Sequence, residues 1–172
     1  MLEGFTEWLE QSPLTAVFSD TNQLSTWLII PTSQSIHIIC VAVVMISVAI
    51  INLRLLGIAG NRQSFADLTG HLMPWVWTSL IVLAITGAIQ TIAEPSRELL
   101  NIGFRAKMIM LAVMVAIMMV YESTLKKDPH YWDQSRERRR TGKILASVSL
   151  VTWIGIVVAG RLIAYLDTGD DA

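Results

Sequence analysis

The stretch SIHIICVAVVMISVAIINL, residues 35–53, contains no Asp, Glu, Lys or Arg and breaks its apolar run with a single histidine, His37. About 20 apolar residues in a helix cross the hydrocarbon core of a bilayer. The segment therefore predicts a transmembrane helix with an ionisable group inside it. Three further stretches obey the same rule, at about 74–93, 107–121 and 144–165. The third is short, but it holds no charge between Lys107 and Glu122, and snorkelling at both ends makes up the length. The fold class expected is all-α: an integral membrane four-helix bundle with short N-terminal interfacial helices.

Composition agrees. Of 172 residues, 53% are hydrophobic and 16% charged, and the mean hydropathy is +0.52. A soluble domain of this length carries more charge, so the apolar excess calls for another solvent. A net charge of −1, with the basic residues scattered, gives no footing for nucleic acid. One cysteine, Cys40, excludes an intramolecular disulfide and a multi-cysteine metal cluster. The N-terminus carries Glu3, Glu7 and Glu10 and lacks the basic region of a cleaved signal peptide. Three regions are expected: an amphipathic interfacial segment over 1–30, the bundle over 31–166, and an acidic tail over 167–172. Within the first, Leu2, Phe5, Trp8 and Leu9 share a helical face, and Ser12-Pro13 reads as an N-cap followed by proline. These residues are expected to lie on the outer membrane surface or to form a lid over that end of the bundle.

Basic residues set the orientation. Arg54 and Arg62 lie between the first two spans; Lys126, Lys127, Arg136, Arg138, Arg139, Arg140 and Lys143 lie between the last two. The opposite side holds Arg97, Arg105, Lys107 and Arg161, beside the acidic Asp167, Asp170 and Asp171. The positive-inside rule puts both basic loops in the cytoplasm and both termini outside a bacterial inner membrane. The run 136–140 is also able to attract anionic lipid heads, beyond its role in topology.

Function is sought where polar residues enter the membrane, because each is costly there. His37 is the clearest. Ser79, Thr86 and Gln90 share a face of the second span with Leu83, and Glu94 continues it. Lys107, Met110, Met114 and Met118 follow helical spacing on the third, and Arg161 stacks above Val157, Ile154 and Ser147 on the fourth. In the predicted topology His37, Gln90, Glu94, Lys107 and Arg161 all occupy the outer half and are placed to meet in one polar pocket. Such a pocket has a structural reading, in which Lys107 and Arg161 pair with Glu94 while His37 and Gln90 satisfy each other or a carbonyl. It also has a functional one, a b-type haem with its iron at His37 and its propionates at the cations. His71 is too deep toward the inner side to share an iron with His37: about 16 residues of helix below His37 amount to roughly 24 Å. A surface hydrogen bond with Asp67 suits His71 better.

Other features carry less. Cys40, one turn from His37, reads as a small core residue. The methionines 108, 110, 114, 118 and 119 suit a copper(I) pathway by their softness, though gap-filling is their commoner use. Trp75, Trp77 and Trp132 look like interfacial aromatics and Trp153 like packing. Nucleotide loops, nucleophile elbows and zinc-protease helices are missing from the sequence, and no Asp or Glu lies inside the spans, against an ATP-driven pump or a carboxylate relay. The partners expected are the lipid bilayer, a haem or quinone in the outer pocket, and a second copy or a membrane redox protein. A non-catalytic accessory subunit and a copper or small-solute permease are the alternatives.

Several motifs together resemble a bacterial four-span family without assigned function: Asn52-Leu-Arg-Leu-Leu-Gly57, Met73-Pro-Trp-Val-Trp77, Thr86-Gly87, Phe104-Arg-Ala-Lys107, and Trp153 followed by Gly160-Arg-Leu-Ile-Ala-Tyr165. The resemblance runs from Leu9-Glu-Gln-Ser-Pro-Leu14 to Tyr165 and implies an inner-membrane location. More faintly, the His-bearing first span and the lysine opening the third are similar to HemJ-type protoporphyrinogen oxidases, and the layout to CopD-type copper-resistance proteins. The first of these implies haem-associated roles for His37 and Lys107; the chain departs from it at Tyr121-Glu-Ser-Thr, where that family has Tyr-His. The orientation is directly testable. Alkaline phosphatase fused to the C-terminus is expected to be active and a fluorescent protein fused there dark; the reverse pair would invert the topology.

Overall fold

A computed structural model describes residues 2–13, 15–16, 24–59 and 64–163, and the elements among them are helical. In chain order these are α1 (Leu2–Glu10), α2 (Leu24–Leu56), α3 (Phe65–Ala93), α4 (Pro95–Leu99), α5 (Ile102–Lys127) and α6 (Arg136–Ile163). The four long helices contain 33, 29, 26 and 28 residues. At 1.5 Å per residue they measure roughly 39–50 Å, against about 30 Å of hydrocarbon. All four are long and apolar enough to cross a membrane.

The helices outrun the predicted spans for local reasons. α3 begins at the cap Ser64, whose hydroxyl accepts from the Asp67 backbone N–H at 3.0 Å, rather than at Pro74. Pro74 and Pro31 both sit inside helices, where each forfeits one backbone hydrogen bond without ending the helix. α5 starts from Asn101, whose side chain accepts from the Gly103 N–H at 2.8 Å, so Arg105 and Lys107 are helical and the third span is not short. α2 stops at Gly57, whose φ of +81° is the left-handed conformation that releases a chain from a helix. In the N-terminal segment the Thr15 N–H reaches the Ser12 hydroxyl at 3.3 Å, as the capping motif predicts. Leu14, Val17 and Phe18 lie outside the described residues.

Packing is inverted relative to a water-soluble protein. Large apolar residues point outward along every long helix, among them Ile38, Ile39, Ile46, Ile81, Ile85, Ile109, Val151 and Ile154. Ser33, Ser47, Asn52, Thr69, Ser79, Thr86 and Ser149 are buried. Apolar surface outside and hydroxyls inside are what a lipid solvent requires. The length and composition of these four helices are those of a multi-pass membrane protein.

α2 packs closely on α3 and on α6, α6 packs on α5, and α5 touches α3 sparingly. α2 and α5 therefore face each other across the diagonal. Their inner stripes, Val44, Val48, Ile51 and Leu55 on α2 and Met114, Ile117, Met118 and Tyr121 on α5, form the core with Ala146, Trp153 and Ile156 of α6. Met114 and Met118 thus fill the centre, while Met108 and Met119 are exposed. The inward face of α6 runs through Ala146, Ser149, Trp153, Ile156 and Ala159; the stripe Ser147, Ile154 and Val157 that leads to Arg161 faces away from the bundle.

At the end of the bundle carrying the loops 57–64 and 128–135, here the basic end, one polar node crosses the diagonal. Asn52 donates to the Ser149 hydroxyl at 2.7 Å and accepts from the Tyr121 hydroxyl at 3.2 Å. Ser149 in turn reaches the Met114 sulfur at 3.6 Å. Trp132, expected at the interface, is buried instead, its ring edge-on to Tyr121 and to Tyr131. A Cβ on Gly142 would lie 3.0 Å from the Trp132 ring and 3.2 Å from Leu55, so glycine is what lets this loop tuck under the bundle. Trp77 donates to the Glu122 carboxylate at 2.9 Å, joining α3 to α5. Asn52→Ala removes the centre of the node, strands the Tyr121 hydroxyl and leaves Ser149 only its contact with the Met114 sulfur, for an expected loss of about 1–2 kcal/mol. Tyr121→Phe keeps both ring contacts and should cost about half as much. Unfolding in mixed detergent micelles measures both, and an unchanged Asn52→Ala midpoint would show that the node is not stabilising.

Candidate functional site

The opposite end carries the N-terminus of α2, the α3–α5 connection and the C-terminus of α6. His37 lies fifteen residues before Asn52, roughly 22 Å away along α2. Its Nδ1 is 2.8 Å from the Thr86 hydroxyl oxygen on α3. That hydroxyl also contacts backbone carbonyls of its own helix, Val82 at 2.8 Å and Leu83 at 3.3 Å. Threonine in a helix commonly returns its single hydrogen to the preceding turn. With that hydrogen given to Val82, the oxygen would accept from His37 and Nδ1 would carry the imidazole proton. Nε2 is left with its lone pair and has no hydrogen-bond partner among the described residues.

Two neighbours fix this geometry. Ser33, one turn before His37, donates to the Thr86 carbonyl at 3.4 Å, so α2 holds the same residue of α3 through its hydroxyl and its backbone. Gly87 presents no side chain to the ring: a Cβ there would stand 3.6 Å from His37 Cε1, in ordinary contact. The Cε1–Nε2 edge is consequently less covered than any other residue at position 87 would leave it. Cys40, one turn further along, is a half-buried free thiol.

The remaining predicted site residues are placed unequally. Lys107, half-buried near the start of α5, stands on the helix diagonal to the one that carries His37. Gln90 occupies the turn of α3 after Thr86 and does not bond His37; its Nε2 is enclosed and lacks an acceptor among the described residues. Glu94 ends α3, its N–H returning to the Gln90 carbonyl. Arg161 falls in the last turn of α6, and its side chain lies outside the described residues. His71 donates from Nδ1 to the Asp67 backbone carbonyl, 2.7 Å away, not to the carboxylate; that carboxylate takes the Ser64 hydroxyl. Among the described residues, no three His, Cys, Asp or Glu side chains gather as a metal site.

Thr86 is the functional neighbour that sequence reasoning left unassigned. It is placed on the right face with Ser79 and Gln90, but nothing in the sequence tells which hydroxyl meets the histidine. The pairing comes from the α2–α3 register.

Above this end, α1 rests on α4, where the Ser96 hydroxyl donates to the Glu10 carboxylate. The arrangement defines a polytopic helical bundle with a histidine-centred polar node in one half. Residues 5–166 match a family of unknown function, DUF6644, and the chain belongs to that family. No curated protein and no solved structure matches it. Nitrogen NMR of histidine-labelled protein is expected to show His37 as the Nδ1–H tautomer. Thr86→Val removes the acceptor and should move population to Nε2–H; identical spectra would show that the hydroxyl does not orient the ring.

Proposed function

We propose that this protein is a multi-pass component of the bacterial cytoplasmic membrane, with both termini on the outer side, that binds a b-type haem through His37. The observation that supports this most is the state of the imidazole. Nδ1 lies 2.8 Å from the Thr86 oxygen and Nε2 has no hydrogen-bond partner among the described residues, the contacts of a ligating histidine whose other nitrogen is tied to an oxygen. The residues present fit a macrocycle better than a bare metal ion. A haem brings four nitrogens of its own and asks the chain for one or two ligands, whereas a protein-only site needs a cluster that the described residues do not form. Lys107, at the same end of the bundle as His37, is a candidate cation for a propionate, and the enclosed Gln90 amide is a candidate hydrogen-bond donor. Arg161 is a second candidate cation. When bound, the haem would supply one-electron chemistry, with a quinone or a membrane redox protein as partner. The chain's part is to orient the ring through Thr86 and to keep the site within low-dielectric surroundings.

A second reading draws on the same bonds. His37 and Ser33 both clasp Thr86, so the node also serves as an interhelical tie in a non-catalytic accessory subunit. A copper pathway draws less support, because Met114 and Met118 are sealed in the core.

Visible spectra of the protein purified in mild detergent separate these readings. A Soret band with reducible α and β bands is expected, absent from His37→Ala and weakened or shifted in Thr86→Val. Protein that stays colourless after haem is supplied during expression, yet loses thermal stability in His37→Ala, overturns the haem and leaves the tie.

A further inference from the structure

The basic end holds a cavity of about 240 Å³ that the His37 site does not involve. Arg54 at the end of α2 and Arg139 and Lys143 on α6 line it, together with Phe65, Trp132 and Asp133. We infer that this cavity is a site for the phosphate of an anionic phospholipid, held between the end of α2, the start of α6 and Trp132-Asp133.

Four features of the cavity carry the inference. Three cations from two helices, Arg54, Arg139 and Lys143, line one small space, and among the lining residues the carboxylate is Asp133. That carboxylate is 3.4 Å from Arg139 in a pair whose side chains are both more than half exposed. An exposed pair of this kind contributes little to stability, so a stronger anion can displace it at small cost. Trp132 is only 4% exposed, and its indole N–H is enclosed without an acceptor among the described residues. A buried donor left unpaired is costly unless something accepts from it. Guanidinium groups and an N–H are the donors that phosphate oxygens take.

Size and surroundings point to a lipid rather than a soluble ligand. The cavity is smaller than the roughly 300–1,000 Å³ of sites that enclose whole small molecules, which suits a phosphodiester whose tails lie elsewhere. Its floor is apolar, formed by Leu55 and Phe65, and exposed Ile58 and Ile144 border it in the chain. Basic pockets between transmembrane helices on the cytoplasmic side are where anionic head groups bind. The helix count and the charge asymmetry put this end there.

The test uses full-length protein in mild detergent, with thermal unfolding and native mass spectrometry as readouts. Micelles doped with phosphatidylglycerol are expected to raise the unfolding temperature and to give lipid-bound peaks; phosphatidylcholine and inorganic phosphate are not. Arg139→Gln with Lys143→Gln should weaken phosphatidylglycerol binding about 10- to 30-fold, at roughly fivefold per cation near the surface. Arg136→Gln with Arg140→Gln removes equal charge outside the cavity and should leave binding within about twofold. Asp133→Asn gives the sharper sign. A site for phosphate binds lipid more tightly once the competing carboxylate is neutral, whereas a purely structural Asp133–Arg139 pair predicts no gain. Trp132→Phe keeps the ring, loses the N–H and should weaken binding, which serves if the double variant fails to fold. Equal losses in both double variants, equal protection by inorganic phosphate, or no gain in Asp133→Asn would each overturn the proposal.

Discussion

A carboxamide in a bilayer has no water to turn to, and most of this structure can be read as the provision made for Asn52. Its side chain is fully buried and spends its donor on Ser149 and its acceptor on Tyr121. Those partners sit on α6 and α5, so satisfying one residue of α2 fixes the rotation of two other helices. The stripes Val44–Val48–Ile51–Leu55 and Met114–Ile117–Met118–Tyr121 then face each other because the hydrogen bonds leave no other register. Apolar contacts fill the interior but do not choose it, since lipid tails are as good a neighbour for valine as another helix is.

The same logic applies at the other end with different chemistry. His37 is held by a hydroxyl whose own hydrogen is returned to its helix, so the ring is oriented through one nitrogen only. The two nodes differ in completeness. Asn52, Ser149 and Tyr121 satisfy one another within the bundle. At the other node His37 Nε2 has no hydrogen-bond partner among the described residues, and Gln90 Nε2 is enclosed without one. Incomplete satisfaction in a low-dielectric interior is the physical distinction between a tie and a binding site, and it is why the functional reading is placed at His37 rather than at Asn52.

How much of this was legible in the sequence depends on which solvent a residue answers to. The four spans follow from apolar length alone, and helical spacing groups Thr86 with Gln90 and Lys107 with Met114, of which Thr86 and Met114 are buried and Gln90 and Lys107 half-buried. The inward stripe of α6 is not legible because both its stripes are mostly apolar: Ile154 and Val157, which lead to Arg161, face away from the bundle, while the inward stripe includes the small residues Gly142, Ala146, Ser149 and Ala159. In water the more hydrophobic face would be the inner one; in lipid that rule gives no direction. Trp132 escaped for a related reason. An aromatic in a loop beside basic residues suggests an interface, and only the space opened by Gly142 shows that the loop folds inward. The Asn52 node was hidden because its members are separated by 69 and 97 residues.

Those separations also bear on how the chain is made. Asn52 enters the bilayer when neither Tyr121 nor Ser149 has yet been synthesised, so the first helical hairpin is complete in sequence but carries an amide without its final partners. It remains an unfinished half until the second hairpin arrives, and the arriving half brings both hydroxyls and the aromatic plug of Trp132 together. Synthesis order thus makes the second hairpin the step that commits the bundle, and a chain truncated after α3 would present to chaperones and proteases a polar group in the wrong solvent.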